Sequence, residues 1–300
     1  MKVLNFGSLN LDYVYEVDHF VLPGETLDSS GRSVQCGGKG LNQSVALARA
    51  GVTVCHAGCI GEGGERLKAF LEENGVDISC LAPVEKMQGH TVIQVTPSGE
   101  NAIVLFGGSN RCVTEDQIRE TVGRFSEGDW LVLQNEINAL PAIVEAAAEK
   151  GLTIVLNPSP WNRALDQVDF EKLSWLFVNE IEMEQITGET DPPKAWDIIH
   201  RRYPRLSVLL TLGSRGSIAF RIEDGQTQTT RQEAFPVRAV DTTAAGDTYT
   251  GYFIAGLVSG LSLQESMKRA AKAAAISVTR HGAAPSIPWA GEIWAIPTTE

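Results

Sequence analysis

The stretch WLVLQNEINALPAIVEAAAEKGLTIVLN, residues 130–157, decides the fold. It opens on a short apolar run, Trp130–Gln134, continues as Pro141–Lys150 with apolar residues three and four apart, and after Gly151 returns to a short apolar run, Thr153–Leu156. A short apolar run bounded by turn residues reads as a buried strand, and the longer period reads as a helix. Strand, helix and strand in that order build a mostly parallel sheet with helices on its faces.

The same alternation extends in both directions. Val3–Phe6, Val54–Ile60, Trp175–Val178 and Val208–Leu212 are expected inner strands; Leu41–Ala50, Glu65–Asn74, Glu115–Phe125 and Glu180–Thr187 are expected helices, several closed by a glycine. Asp224-Gly225 joins Ser217–Ile222 to Gln226–Arg231 as a two-residue hairpin. Helices Gly246–Ser259 and Leu263–Thr279 follow, the second with Met267, Ala271, Ala274 and Val278 on one stripe, assigned to the core. Leu11–Gln35 and Gln88–Phe106 lack helical period and read as alternating strands, the second turning at Pro97-Ser98-Gly99-Glu100. They are expected to form a small separate sheet, with lid segments at about 11–35 and 88–106 of a single domain spanning 1–300.

Composition bounds the function. With 300 residues, 43% of them apolar and 21% charged, the chain can bury a large core, which excludes disordered and fibrous classes. A net charge of −12 makes nucleic acid and anionic membrane surfaces poor partners. Nucleotide phosphates stay possible ligands, because helix N-termini supply local positive charge. Five cysteines, odd in number and sparse, do not read as a disulfide framework, so a reducing cytoplasm is expected. Cys55, His56 and Cys59 lack C-x-x-C spacing and a second ligand pair; a buried strand over Val52–Ile60 is preferred to a zinc site. The N-terminus has no signal-peptide pattern, and no apolar run approaches the ~18 residues of a membrane span.

Four constellations carry chemistry. Gly37-Gly38-Lys39-Gly40-Leu41-Asn42 stands before a helix, where glycines let a ligand approach the backbone and Lys39 and Asn42 add donors. It is neither a Walker A loop nor G-x-G-x-x-G, and a plain helix-capping turn competes with the binding role. Asp241-Thr242-Thr243-Ala244-Ala245-Gly246-Asp247-Thr248 leads into another helix. There the N–H groups of Ala245, Gly246 and Asp247 could face a transferring phosphoryl group, and Asp247 could accept the proton of an attacking hydroxyl. Asp241 or Asp247 as a simple helix cap is the alternative. Thr211-Leu212-Gly213-Ser214-Arg215-Gly216 runs from a strand end into a glycine turn, either a ligand loop of an open sheet or an ordinary hairpin. Asn179 could donate to phosphate and Glu182 act through water on a divalent cation, or both could serve only the start of a helix. Gly61-Glu62-Gly63-Gly64 follows a strand but lacks the final glycine of a dinucleotide loop.

In this order the motifs resemble the ribokinase family of ATP-dependent sugar kinases, over nearly the whole chain. The match includes Gly7-Ser8-Leu9-Asn10-Leu11-Asp12, Pro23-Gly24-Glu25-Thr26, the double-glycine lysine loop, Asn157-Pro158 and Asn179 to Glu182. It continues through Thr211 to Gly216, Asp241 to Asp247 and Gly282-Ala283-Ala284-Pro285-Ser286-Ile287-Pro288. The resemblance implies a doubly wound α/β fold with helices on both faces of a mostly parallel sheet, a small β lid, and a homodimer formed through that lid. It implies transfer of the γ-phosphate of Mg·ATP to a primary hydroxyl of a small sugar, with D-ribose, giving ribose 5-phosphate, as the expected acceptor. Deoxyribose, a ketose, a sugar acid or a nucleoside, or a non-catalytic sugar-binding role, are the alternatives. By the same resemblance Asn10, Asp12, Gly38, Lys39, Asn42, Glu136 and Asp247 hold the sugar, Asp247 is the base, and Ala245 and Gly246 help form the anion hole. Asn179, Thr211, Gly213, Ser214, Arg215, Gly216 and Gly246 would contact ATP. Asp241, Thr243, Ser277, Arg280, Gly282 and Ser286 would enclose a potassium ion, and Glu182 would hold magnesium through water. Gln88, His90, Thr91 and Gln94 make the lid strand more polar than the family pattern, and Asn135 adjoins Glu136 where an apolar residue is usual. If those groups line the pocket, a different acceptor is favoured.

Overall fold

In the computed structural model, which describes residues 1–293, nine strands form one large sheet and four form a small one. In chain order the strands are β1 (Val3–Phe6), β2 (Asn10–Glu16), β3 (Gly31–Gly37), β4 (Val54–Glu62), β5 (Asp77–Met87), β6 (His90–Val95), β7 (Asn101–Phe106), β8 (Trp130–Gln134), β9 (Thr153–Asn157), β10 (Trp175–Asn179), β11 (Ser207–Thr211), β12 (Ser217–Glu223) and β13 (Gln226–Gln232). The longer helices are α1 (Lys39–Arg49), α2 (Glu65–Glu73), α3 (Glu115–Gly123), α4 (Leu140–Glu149), α5 (Glu180–Thr187), α6 (Pro192–Arg202), α7 (Ala245–Val258) and α8 (Leu263–Ser277).

The large sheet runs β13-β12-β11-β10-β9-β8-β1-β4-β5. It is parallel except for the hairpin β12–β13 at one edge. The hairpin turns at Asp224 and Gly225 with φ of 50° and 75°, the left-handed pair that a two-residue turn of this kind needs. Strand alternation feeds two cores. Leu4, Phe6, Leu131 and Leu133 meet α3, α4 and α6 on one face, and Val3, Val132 and Val155 meet α1, α2, α7 and α8 on the other.

Several elements depart from the expected pattern. β5 is a half-polar edge strand without an apolar run, so its sequence gives no period to read. α6 was also not anticipated, although Asp191 caps it and Pro192-Pro193 opens it, a usual start signal. β4 runs on through Gly61 to Glu62, and the Gly61 N–H donates to Gln88 Oε1 at 2.9 Å, so this glycine stretch begins as strand rather than as a phosphate loop. Within β4, Cys55 and Cys59 enter one core while His56 turns to the opposite face, where its Nδ1 pairs with Ser44 Oγ at 2.8 Å. Of the α8 stripe, Met267 and Ala271 are core, whereas Ala274 and Val278 are only half-buried and line a cavity.

The chain enters the large sheet at β1, third from the β5 edge, steps outward to β4 and β5, then returns to β8 on the other side of β1. Strand order therefore reverses between β1 and β8, and an open α/β sheet forms its ligand crevice beyond the carboxyl ends at such a reversal.

The small sheet is ordered β3-β2-β6-β7, with β2 and β6 parallel and the outer pairs antiparallel. Alternation puts Asp12 and Thr91 on one face and Tyr13, His90 and Phe106 on the other, where the His90 ring lies 5.8 Å from Tyr13 and 4.9 Å from Phe106. Gln88, just before β6, links the two sheets: its Oε1 accepts from Gly61 N–H of β4 at 2.9 Å and its Nε2 donates to the Leu9 carbonyl, just before β2, at 2.6 Å.

Candidate active site

Asp247 lies in the first turn of α7, buried, and two neighbouring residues of α1 hold it. Asn42 Nδ2 donates to Oδ2 and Gln43 Nε2 to Oδ1, both at 2.9 Å. The meeting follows from helix packing. A Cβ on Gly251 would stand 2.4 Å from Ala46 Cβ, so only the missing side chain lets α7 lie this close to α1. One turn earlier on each helix come Asp247 and the pair Asn42 and Gln43.

Around this carboxylate the β1 side of the crevice is polar. Glu136, just past β8, accepts from Ser8 Oγ at 2.5 Å and from the Lys39 N–H at 3.0 Å. Burial pulls the Lys39 ammonium down, but the facing carboxylates of Asp247, Glu136 and Glu182 outweigh it and hold it above its ordinary value. Asp12 accepts from Thr91 Oγ1 at 2.6 Å. Burial, opposed by that hydrogen bond and aided by Glu136, lifts the Asp12 carboxyl to about 6. Asn10 is buried and its Oδ1 accepts from Asn110 Nδ2 at 2.7 Å. Asn42 Oδ1 is buried without a partner, an acceptor of the kind a ligand hydroxyl satisfies. The double glycine is dictated by this cluster: Gly38 has φ +94°, and a Cβ on Gly37 would fall 1.8 Å from Asp12 Oδ2.

On the other side of Asp247 the crevice opens into two joined cavities. One, of about 220 Å³, is lined by Lys39, Asn179, Glu182 and Asp247; the other, of about 430 Å³, by Gly213, Ser214, Gly216, Phe235, Ala274 and Val278. Thr211, Thr242, Ala245 and Gly246 border both. Ala244, before α7, is held at φ 59°, left-handed and strained for alanine. Of the three amides expected to be open, that of Ala245 donates to the Thr242 carbonyl at 3.2 Å. The amides of Gly246 and Asp247 keep the free first-turn position that suits an anion. Asn179 and Glu182 form a capping box: Glu182 N–H donates to Asn179 Oδ1 at 2.8 Å and Asn179 N–H to Glu182 Oε2 at 3.0 Å. Both still line the smaller cavity, and Glu182 keeps its second oxygen. The Arg215 guanidinium pairs with Glu180 at the surface and lines neither cavity.

Beside the larger cavity Asp241 joins two loops, accepting from Thr243 N–H and Gly282 N–H, each at 2.9 Å. Ser277 and Ser286 are buried and donate to the carbonyls of Ala274 and Ala283, and Arg280 pairs with Glu292 at 2.5 Å. These surroundings offer carboxylate, hydroxyl and carbonyl oxygens, the donor set of a hard cation, although the Arg280 side chain is directed elsewhere. Among the described residues no group of three or more His, Cys, Asp or Glu side chains could hold a metal ion.

The family model described as pfkB family carbohydrate kinase matches residues 1–290. The chain belongs to the pfkB family of carbohydrate kinases. A Haemophilus influenzae protein named ribokinase is 36% identical over 292 residues, covering 94% of each chain. The crystal structure of ribokinase from Cryptococcus neoformans var. grubii serotype A in complex with ADP superposes with a TM-score of 0.84 at 33% identity, over 98% of this chain and 99% of that one. The structure of Arabidopsis thaliana ribokinase complexed with ribose and ATP superposes with a TM-score of 0.86 at 27% identity, over 98% and 97%. A pfkB kinase thus accounts for the doubly wound sheet with its small second sheet.

Sequence reasoning missed three parts of this pfkB site. Gln43 was passed over beside Asn42, though one helical turn carries both. Ser8 lay inside a quoted motif without a role. The apolar walls Phe235, Ala274 and Val278 look like core in sequence, and only their placement shows the space they enclose.

Proposed function

We propose that this pfkB kinase transfers the γ-phosphoryl group of ATP to the primary hydroxyl of D-ribose, giving ribose 5-phosphate and ADP. The observation that carries this is the position of Asp247, between a cluster of side chains suited to hydroxyls and a cavity that ends on the free amides of a helix. Asp247 takes the hydroxyl proton as that oxygen attacks, and the N–H groups of Gly246 and Asp247 face the charge that develops on the transferring phosphoryl oxygens. Asn10, Asp12, Gly38, Lys39, Asn42 and Glu136 hold the sugar; Asn179, Thr211, Gly213, Ser214 and Gly216 border the nucleotide. Magnesium bound with ATP neutralises phosphate charge, and Glu182 would hold one of its waters. Potassium would lie between the loops that Asp241 joins, with Thr243, Ser277, Gly282 and Ser286 nearby.

Ribose is favoured over another acceptor because, apart from Thr91, which holds Asp12, the polar residues that depart from the family pattern have partners elsewhere. His90 faces away from Asp12, Asn135 Nδ2 donates to the Pro160 carbonyl at 2.6 Å, and Gln94 Oε1 accepts from Val21 N–H at 2.9 Å. Ile103, Val104, Leu105 and Phe106 on edge strand β7 are exposed, which supports a homodimer through the small sheet. Five free cysteines fit a reducing cytoplasm. Among the described residues no helix is long and apolar enough to cross a membrane.

The test is ADP release measured across D-ribose, 2-deoxyribose, fructose, ketodeoxygluconate and nucleosides, in KCl and in NaCl of equal ionic strength. Ribose should give the highest kcat/KM, and the rate should be greater in KCl. A better acceptor overturns the substrate, and equal rates in the two salts overturn the potassium site.

A further inference from the structure

Behind Asp247 runs a buried row of amide side chains whose orientations are fixed from the far end. The Gly40 carbonyl can only accept, and Asn5 Nδ2 donates to it at 2.7 Å. Asn5 Oδ1 must then be the group that faces Gln134, and it accepts from Gln134 Nε2 at 2.9 Å. The same Nε2 donates to Gln43 Oε1 at 2.7 Å. With its oxygen so engaged, Gln43 turns its NH₂ outward, to Asp247 Oδ1 at 2.9 Å and to Asn157 Oδ1 at 3.2 Å. Asn5, Gln43 and Gln134 are all fully buried, where a reversed amide would set acceptor against acceptor.

The row has a neutral tail. Asn5 Nδ2 also donates to Ser44 Oγ at 2.8 Å, and Ser44 Oγ pairs with His56 Nδ1 at 2.8 Å. Burial pushes the His56 imidazole down to about 3, which keeps it uncharged.

We propose that Gln43 is a positioning residue for the catalytic base, and that Gln134 and Asn5 act through it by ensuring that it presents a donor to the Asp247 carboxylate. The proposal rests on Asp247 being the base. Asn42 fixes the other oxygen, so the two amides set the plane of the carboxylate and leave its remaining lone pairs aimed at the crevice. Neither Gln43 nor Gln134 borders the cavities described above, which separates their effect from direct ligand contact.

The test is a kinetic cycle on the full-length enzyme with Gln43→Met, Gln134→Met and the double variant. Ribose dissociation, the KM for ATP and thermal unfolding are measured beside kcat. Gln43→Met should lower kcat roughly 10- to 100-fold, as loss of a hydrogen bond to a charged group does, with the KM for ATP unchanged. Gln134→Met should lower it several-fold, and adding it to Gln43→Met should cost nothing further, since its route to Asp247 is already gone. A kcat within twofold of the parent in Gln43→Met, or losses that multiply in the double variant, overturns the proposal. Should Gln43→Met not fold, Gln43→Leu, which likewise has no donor, replaces it under the same criteria. Asp247→Asn is run in parallel: near-normal turnover there removes the base itself, whereas an inactive Asp247→Asn beside a normal Gln43→Met removes only the relay.

Discussion

On the β1 side of Asp247 the crevice is made of side chains that hold one another: Ser8 holds Glu136, Thr91 holds Asp12, and Asn110 holds Asn10. On the β11 side it is made of backbone and small apolar residues, with glycines at 213 and 216 and walls of Phe235, Ala274 and Val278. Hydroxyls of a sugar are told apart by donors and acceptors at fixed positions, so the first half needs particular side chains in a pre-organised network. A purine and a phosphate chain ask for a flat apolar slot and a row of N–H groups, which many sequences supply. Asp247 sits where the two halves meet, and each prediction either breaks that division or sharpens it.

The largest effect is expected at the junction. Asp247→Asn should lower kcat by roughly 10²- to 10⁴-fold, the range of a lost general base, with ribose binding and the KM for ATP changed far less. Steady-state kinetics with ribose titrations will decide, and a variant that turns over normally shows that the two halves need no shared carboxylate. Next comes the apolar half. Ala274→Phe should fill part of the larger cavity and raise the KM for ATP roughly tenfold while leaving the KM for ribose in place. If the ribose KM rises equally, the halves are not separable. The smallest effect is a pH dependence confined to the polar half. Asp12 stands at about 6, raised from its ordinary value, so it is mostly charged at pH 7 and mostly protonated at pH 5. Protonation removes acceptor capacity, and the KM for ribose should therefore rise, by roughly threefold to fivefold, as pH falls across that interval. Thr91→Val, which removes the hydrogen bond that lowers Asp12, should move the rise to higher pH. A ribose KM that stays flat from pH 7 to pH 5 speaks against Asp12 as a sugar ligand.

The division also explains what was legible beforehand. Asn10, Asp12, Lys39, Asn42 and Asp247 stand in short stretches of glycine and polar residues that can be read locally, whereas Glu136 stands in none and came only from the family resemblance. Arg215 was read from a motif as well, but its long side chain reaches Glu180 at the surface, an outcome that loop composition does not specify. Ala274 and Val278 were read as core because periodicity reports that a helix face is apolar and cannot report whether protein or empty space lies against it. His90 was ambiguous until β6 was placed in register: an offset of one residue would have turned it toward Asp12, and the observed pairing with Leu11 turns it away.

Local pattern by itself determined the alternation of strand and helix, the two-residue hairpin and the motifs that supply polar groups, because these depend on residues close together in the chain. Tertiary structure alone decided that Gly251 lets α7 approach α1, that Asn42 and Gln43 thereby reach Asp247 from some 205 positions away, and that the amides of Asn5, Gln134 and Gln43 point one way. Contacts between distant segments form only when their backbones come within side-chain reach, and that distance is set by packing, which no single segment encodes.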